Sequence, residues 1–249
     1  MKIKAITIDF WNTLYNSGNG IKRNEYRHEQ LKNAIQSTGC NPSQIEFEDA
    51  MRASWEYFNK IWLNDSRTPA PEDTVGFFLN YMKVPYDYTI LSEVARHFGE
   101  AILVHPPDLM ESVPKVIEAI TGKFELAIVS DTGFSKGTEL RQLLEQSGIA
   151  KYFSAMSFSD ETGVSKPHPK AFLTALNELS ISPEEAIHIG DIEATDIIGA
   201  KNLGMKAIKF TGDPTARHGV DNNGDSLADY VADSWSDILE YIDKLRITN

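Results

Sequence analysis

Four polar side chains stand where predicted strands end, and their types suit a site for a charged ligand. They are two carboxylates, a hydroxyl and an amine, from Asp9, Ser130, Lys166 and Asp191. The carboxyl ends of parallel strands lie along one edge of an open sheet, and such sheets bind their ligands at that edge. Burying an unpaired charge is costly, so Asp9 would not stand there for packing alone. The four residues therefore predict one shared site.

Each of these residues also has a simple structural alternative. Asp9 can cap a turn, Ser130 can cap a helix, and Lys166 can be a solvated surface lysine. Asp191 and the nearby Asp196 can be turn and cap residues. Their common position after strands, in this order along the chain, is what favours a shared site over these separate roles.

The elements that must position these groups follow from the apolar pattern. Short strands are predicted at residues 3–8, 124–129, 152–158, 186–189 and 207–210. Amphipathic helices lie between them, one of them over residues 197–203, and Ser182-Pro183-Glu184-Glu185 has the form of a helix-capping box. His188 falls inside the fourth strand and is predicted to be a core residue. Alternating strands and helices at this spacing predict an α/β fold with a doubly wound parallel sheet.

The segment from residue 21 to residue 105 has a different, helical pattern and contains no predicted strand. Trp55, Phe58 and Trp62 recur at i, i+3 and i+7, which places them on one helix face. This stripe is interpreted as the core of the helical segment rather than as a substrate platform. A later helix is predicted to end near Gly99. We therefore predict a helical domain of residues 16–105, inserted into a core domain of residues 1–15 and 106–249.

Composition excludes several functional classes. The chain has 249 residues, 41% of them hydrophobic, and a formal net charge of -12, which argues against nucleic acid and anionic membranes as partners. Its single cysteine, Cys40, cannot form an internal disulfide and fits a reducing compartment. No apolar run is long enough to span a bilayer, and the amino terminus does not resemble a signal peptide. These features predict a soluble, cytoplasmic protein.

The predicted site residues lie in four short motifs, each of which follows a predicted strand. The motifs are Asp9-Phe10-Trp11-Asn12-Thr13, Ser130 after Leu126-Ala127-Ile128-Val129, Lys166-Pro167, and Gly190-Asp191-Ile192-Glu193-Ala194-Thr195-Asp196. In order, spacing and preceding strands they resemble the motifs of the haloacid dehalogenase superfamily of hydrolases, over essentially the whole chain. The resemblance implies that family's Rossmann-like fold, with the helical insertion as a cap domain.

The resemblance also implies catalytic roles. Asp9 would attack an electrophilic centre and form a covalent ester, which splits one difficult displacement into two easier ones. Ser130 would donate a hydrogen bond to a phosphoryl oxygen, and Lys166 would offset the negative charge of the nucleophile and the phosphoryl group. Thr13 would fix the conformation of the loop after Asp9. The expected reaction is hydrolysis of a small phosphorylated metabolite.

A metal site is implied by the same resemblance. Asp191 and one oxygen of Asp9 would bind Mg²⁺, a hard cation that prefers a few carboxylates together with water and phosphate oxygens. The backbone carbonyl of Trp11 would complete that site. Asp196 would either be a further ligand through water or hold Lys166 in place. Substrate contacts are expected from other residues of the first two motifs, namely Asn12, Trp11, Asp131 and Thr132.

Trp11 is the departure from the family pattern that matters most. Phosphatase members carry a second aspartate at this position, which protonates the leaving oxygen and then activates water. General acid–base help of this kind is worth ~10² to 10⁴ in rate, and indole cannot supply it near pH 7. The sequence therefore predicts a substrate with a good leaving group, another proton donor, or slow turnover.

Two other functions remain open at this point. Dehalogenases of the family also lack the second aspartate, since a halide leaves without a proton. They use no metal, however, and they lack a carboxylate at the position of Asp191. They also place an asparagine where this chain has Asp131, and a carboxylate at that position would repel a departing halide. The third possibility is a binding or regulatory protein that keeps the phosphate pocket without turnover, because fold does not guarantee function.

Overall fold

The structure is a computed structural model, and it describes residues 2–216 and 225–247. The chain divides into two compact units. One unit, which we call the α/β unit, comprises Met1–Gly18, Pro107–Asp131 and Leu144–Asn249; the other, the helical unit, comprises Asn19–Pro106 and Thr132–Leu143. Within the described part of the chain, no helix has both the length and the apolar character needed to cross a bilayer.

The α/β unit is built on a parallel sheet of six strands in the order β3-β2-β1-β4-β5-β6. The strands are β1 (Ala5–Ile8), β2 (Glu125–Ser130), β3 (Ala155–Phe158), β4 (Ala186–Gly190), β5 (Lys206–Phe210) and β6 (Tyr230–Ala232). Ile8 pairs with Ile128 of β2 on one side and with Ile189 of β4 on the other. All four residues of β1 are buried, as expected for a central strand covered on both faces. The predicted α/β class with a parallel sheet is confirmed.

The strand order creates a switch point between β1 and β4. From β1 the chain builds outward through β2 and β3, and it then returns to the other side of β1 to add β4, β5 and β6. In sheets of this type, ligands bind outside the carboxyl ends of the strands at the point where the order reverses. Asp9 follows β1 and Asp191 follows β4, so these two residues stand on either side of that point.

The helices of the α/β unit are, in chain order, α5 (Val113–Ile120), α7 (Ser159–Thr162), α8 (Pro169–Leu179), α9 (Ile198–Asn202) and α10 (Trp235–Ile247), whereas most of α6 (Gly137–Gln146) belongs to the helical unit. The core between α8 and the sheet contains Phe172 and Leu176 of the helix, together with Ala127 and Val129 of β2. Apolar residues at i and i+4 of α8 bury one face of the helix, which fixes its position against the strands.

The helical unit contains four helices between residues 19 and 106, all of which are described, and no strand. They are α1 (Gly20–Ser37), α2 (Gln44–Asp65), α3 (Pro71–Tyr81) and α4 (Tyr88–Val104). Phe58 of the aromatic stripe is buried in the core of this unit, and Trp62 packs against that core. Trp55 is 38% exposed, and its ring meets the ring of Phe134 edge-on at 4.9 Å between centroids. The stripe thus packs mainly within its own unit.

Several predicted boundaries are wrong. Helix α4 continues past Gly99 to Val104, because its apolar face continues with Ala101 and Ile102, which are both fully buried. The capping box at Ser182 does not start an α-helix, since Pro183–Glu185 forms a single 3-10 turn before the chain enters β4.

Two further elements differ locally from their prediction. The third strand begins at Ala155, because Ala150–Tyr152 makes a 3-10 turn where the apolar run had predicted extended chain. The helix predicted over residues 197–203 begins earlier, with a π-helical turn at Glu193–Ile197 that leads into α9. Such turns are frequent at functional sites, and this one contains Asp196.

Candidate active site

Four predicted side chains lie in the α/β unit at or near the carboxyl ends of its strands. Asp9 directly follows β1, and its backbone N–H donates to the Ile189 carbonyl at 2.8 Å, which extends the pairing with β4 by one residue. Ser130 ends β2, Asp191 follows β4, and Lys166 lies in the loop between α7 and α8. All four are buried, with relative exposures between 2% and 4%. The alternative of a solvated surface lysine is therefore excluded for Lys166.

Lys166 joins two carboxylates. Its ammonium group donates to Oδ1 of Asp9 at 2.5 Å and to Oδ1 of Asp196 at 2.6 Å. Burial alone would lower the pKa of Lys166, but the charges of Asp196 and Asp9 outweigh burial and hold the pKa above its usual value. The backbone N–H of Lys166 also donates to Oδ1 of Asp131 at 3.0 Å. The lysine is thus charged and fixed at both its backbone and its side chain.

Asp196 has both carboxylate oxygens in hydrogen bonds. Oδ1 accepts from Lys166 and lies 2.9 Å from Nε2 of His188, while Oδ2 accepts from the backbone N–H of Ile192 and the hydroxyl of Thr195, each at 3.1 Å. Burial acts to raise the pKa of Asp196, but Lys166 and His188 reverse that effect and lower it. Because both oxygens of Asp196 are already occupied by hydrogen bonds, Asp196 is better suited to hold Lys166 than to bind a metal ion.

His188 is the functional-site residue that sequence reasoning missed. It lies in β4, as predicted, but its ring is part of the polar cluster: Nδ1 lies 2.8 Å from the hydroxyl of Thr7, and Nε2 faces Asp196. A carboxylate only accepts hydrogen bonds, so the ring proton is on Nε2 and the Thr7 hydroxyl donates to Nδ1. Burial lowers the pKa of His188 and keeps the ring neutral. A polar residue in an otherwise apolar strand was the available signal.

Gly190 allows this cluster to form. A Cβ atom at Gly190 would lie 2.4 Å from Cγ of Asp196, far inside van der Waals contact. Only a residue without a side chain lets the end of β4 pass this close to the Asp196 carboxylate. Close packing against Asp196 thus explains why glycine stands at this position of the fourth motif.

Asp9 and Asp191 form the part of the site that fits a cation. Burial raises the pKa of Asp9 to about 7, and it raises the pKa of Asp191 well above its usual value, with further contributions from Asp196 and Asp9. Among the described residues, Oδ2 of Asp9 and Oδ1 of Asp191 accept no hydrogen bond. Two buried carboxylates that repel each other and keep a free oxygen apiece would be stabilised by a divalent cation.

The donor set available to such a cation is small. In the part of the chain that the structure describes, no group of three or more His, Cys, Asp or Glu side chains could hold a metal ion. A cation at Asp9 and Asp191 would therefore need oxygen atoms from the backbone, a substrate or water. This donor set suits Mg²⁺, which is usually bound through one or two carboxylates and keeps several waters.

The loop after Asp9 places the remaining residues of the first motif. Asn12 has a positive φ of 54° and donates from its amide to Oδ2 of Asp191 at 3.1 Å. Thr13 is buried; its carbonyl accepts from the indole N–H of Trp235 at 2.9 Å, and its hydroxyl has no partner among the described residues. Trp11 is half-buried and packs edge-on against Phe10. Asn12 thus contacts a predicted metal ligand, whereas Thr13 anchors the loop to α10.

The second motif is only partly connected to this cluster. Asp131 reaches it through the backbone of Lys166, whereas the Ser130 hydroxyl makes one long contact of 3.4 Å, to the Asp131 carbonyl. No helix begins within six residues after Ser130, so the helix-capping alternative does not apply. Thr132 is buried and belongs to the helical unit, so its substrate contact stays a prediction.

Comparisons with known proteins agree with this architecture. A family model described as haloacid dehalogenase-like hydrolase matches residues 3–204. A glyceraldehyde 3-phosphate phosphatase from Methanopyrus kandleri is 30% identical over 257 residues, with 98% of each chain covered. One of the same name from Pyrococcus furiosus is 41% identical over 93 residues, which is 37% of this chain and 38% of that protein. In structure, the chain is similar to a 2-haloacid dehalogenase from Pseudomonas syringae pv. Tomato DC3000, with a TM-score of 0.71, 22% identity, and 98% and 99% coverage.

Proposed function

We propose that this chain, which belongs to the haloacid dehalogenase-like hydrolases and is therefore a hydrolase, is a Mg²⁺-dependent phosphatase for a small phosphorylated metabolite. The observation that carries the proposal is the buried cluster of Asp9, Lys166 and Asp196, together with the buried carboxylate of Asp191. A lysine held by two carboxylates suits a nucleophile that must stay ionised and aligned. The free oxygens of Asp9 and Asp191 suit a cation.

Asp9 is the proposed nucleophile. Its carboxylate oxygen bonds to phosphorus while the bond from phosphorus to the leaving oxygen breaks, and the leaving group takes the electron pair. Water then attacks the aspartyl phosphate, which releases inorganic phosphate and restores Asp9. Lys166 acts against the effect of burial by favouring the ionised form of Asp9, and it would offset the charge that builds up on the phosphoryl group. Ser130 would donate its unconstrained hydroxyl hydrogen to a phosphoryl oxygen.

A cation is expected to be essential, because the site otherwise carries too much negative charge. Mg²⁺, when bound by Asp9, Asp191 and the carbonyl of Trp11, supplies the positive charge that a phosphoryl group needs beside two carboxylates. Asp196 would act through Lys166, which it orients with the help of His188. In this proposal Asn12 holds Asp191 through the hydrogen bond from its amide, and Asp131 and Thr132 line the substrate site.

Trp11 sets the expected substrate preference. An indole ring cannot protonate the leaving oxygen, so phosphates whose leaving groups have a low pKa should react faster than alkyl phosphates. We also propose that the helical unit serves as the cap that selects the substrate. The Methanopyrus kandleri relative suggests glyceraldehyde 3-phosphate as the first metabolite to test. A cytoplasmic location stays a prediction from composition.

The test is a hydrolysis screen with and without Mg²⁺. Glyceraldehyde 3-phosphate, other phosphorylated metabolites, an aryl phosphate and 2-chloropropionate would be assayed for phosphate or chloride release, with Asp9→Asn as the inactive control. Mg²⁺-dependent phosphate release that is lost in the variant supports the proposal. Chloride release without metal would replace it with dehalogenation. Binding of a phosphate mimic at Asp9 without turnover of any phosphate would indicate a regulatory protein instead.

A further inference from the structure

A chain of hydrogen bonds leads from the end of β5 to Asp191, and the proposed mechanism does not use it. Asp213 lies three residues after β5 and is buried; its Oδ2 accepts the backbone N–H of Ser17 at 3.0 Å. The Ser17 hydroxyl donates to Oδ1 of Asn12, and the Asn12 amide donates to Oδ2 of Asp191 at 3.1 Å. All four residues belong to the α/β unit.

The direction of each hydrogen bond in this chain is determined by chemistry. Asn12 turns its NH₂ group toward Asp191 and its carbonyl oxygen toward Ser17, which is the orientation that an Asp191 carboxylate bound to a cation requires, since an ionised carboxylate only accepts. The Ser17 hydroxyl then has to donate to that carbonyl oxygen. Without this donor the Asn12 amide could turn over, and its oxygen would face the Asp191 carboxylate. Ser17 therefore fixes which end of Asn12 meets Asp191.

The backbone at both ends of the chain is built for this arrangement. Asn12 has a φ of 54°, a left-handed conformation that asparagine tolerates better than most residues. At the other end, Oδ1 of Asp213 accepts from the backbone N–H and the hydroxyl of Thr215, at 2.7 and 2.6 Å. Asp213 is thus held in place by its own turn, and it holds Ser17 together with the Thr215 hydroxyl, which accepts the same Ser17 N–H at 2.9 Å.

We propose that Asp213, Ser17 and Asn12 form a positioning relay that orients Asp191 for the cation, an inference that rests on the cation site of the proposed function. Asn12 occupies one oxygen of Asp191 and leaves the other directed to the cation. Asp213 and Ser17 act on Asp191 only through Asn12, so we assign them as positioning residues. Groups that orient a metal ligand in this way typically raise its metal affinity by about 10- to 100-fold.

The test measures Mg²⁺ binding directly, by titration calorimetry without substrate. Three variants break the relay at different points: Ser17→Ala, Asp213→Asn, and Asn12→Gly, in which glycine keeps the positive φ free of strain. Each should weaken Mg²⁺ binding about 10-fold. At saturating Mg²⁺ the rates of Ser17→Ala and Asp213→Asn with an aryl phosphate should return close to that of the wild type. Ser17→Ala should have no further effect on Mg²⁺ binding in the Asn12→Gly background, because Ser17 acts only through Asn12.

Asn16→Ala is the matched control. Asn16 lies in the same loop, where its side-chain oxygen accepts the N–H groups of Gly18 and Asp108 rather than taking part in the hydrogen bonds of Asn12. Its Mg²⁺ affinity should stay within about twofold of the wild type, since it lies outside the relay. An equal loss in Asn16→Ala would mean that general loosening of the loop, and not the relay, weakens binding.

The remaining outcomes separate the relay from the cation site itself. Wild-type protein that binds no Mg²⁺ would remove the cation from the proposed function, and the relay with it. Wild-type protein that binds Mg²⁺, together with folded Ser17→Ala and Asp213→Asn variants of unchanged affinity, would overturn the relay alone. Thermal unfolding of each variant establishes that it is folded, and Ser17→Ala, which deletes one hydroxyl at a half-buried position, carries the test if Asp213→Asn does not fold.

Discussion

Replacing Asp9 by Asn should abolish turnover and, in buffer without divalent cations above pH 7, make the folded protein more stable. The amide has nearly the same shape as the carboxylate but is a poor nucleophile. It also removes one of the buried charges that repel each other around Lys166. A residue that is retained at a cost in stability is typical of an active site, where function and stability conflict.

The magnitude follows from the pKa of Asp9. Burial raises it from 3.8 to about 7 in the folded protein. Below pH 3.8 the group is protonated in both states, and between 3.8 and about 7 only the unfolded chain loses the proton, so the free energy of unfolding falls as the pH rises. One pKa unit corresponds to about 1.4 kcal/mol, so ionised Asp9 opposes folding by about 4 kcal/mol at most. Lys166 loses a charged partner in the variant, which reduces the expected gain to about 1 to 3 kcal/mol.

Urea denaturation at pH 5 and pH 8, with and without Mg²⁺, measures this effect. The gain of Asp9→Asn over the wild type should be larger at pH 8 than at pH 5, and Mg²⁺ should reduce it by stabilising only the wild type. Asp229→Asn is the control of opposite sign: burial acts to raise the pKa of Asp229, but hydrogen bonds from Lys201 and the Ala207 backbone lower it, so this variant should lose stability at pH 8. A less stable Asp9→Asn protein at pH 8 would refute the reasoning.

Three further predictions concern the same site. Mg²⁺ affinity should rise by at least about tenfold per pH unit up to pH 7, since binding displaces a proton from Asp9, and Asp191, whose pKa is also raised, can add to the slope; titrations that give equal affinity at pH 5.5 and 7 would contradict this. Trp11→Asp should raise the rate with alkyl phosphates relative to aryl phosphates, by as much as ~10² if the new carboxyl reaches the leaving oxygen, and an unchanged ratio would show that it does not. Gly190→Ala should lose activity and about 1–3 kcal/mol of stability, because the new methyl group would overlap Asp196; a fully active, equally stable variant would mean that the cluster tolerates the shift.

Much of the fold could be predicted because five of the six strands leave a local signal, whereas β6 (Tyr230–Ala232), with three residues, is too short to leave one. Residues 3–8 and 186–189 are almost continuously apolar, as strands buried on both faces must be. Once these strands are parallel, Asp9 and Asp191 have to lie at one edge of the sheet. The proximity of Lys166 to Asp9 then follows from topology, although 157 positions separate the two residues.

The remaining contacts depend on register and loop conformation, which leave no local signal. His188 meets Thr7 because the two are paired across β1 and β4, and no pattern in either strand specifies that register. The contact between Ser17 and Asp213 joins two loops that are 196 positions apart. At Gly99 a helix continues where glycine usually indicates an end, since burial of Ala101 and Ile102 beyond it outweighs the local propensity.

Similarity of fold to a 2-haloacid dehalogenase does not decide the reaction, but the charges of the site give a physical argument. Asp9, Asp191 and Asp196 would carry three negative charges when ionised, against one positive charge on Lys166, so their sum is −2. A halide leaving such a site would move through unfavourable potential in a region of low dielectric constant. A phosphoryl group would meet the same repulsion, but it can share a divalent cation with Asp9 and Asp191, whereas a carbon–halogen bond offers no oxygen to ligate. The excess of carboxylates lowers the stability of the metal-free protein. The same excess therefore favours phosphate chemistry over dehalogenation.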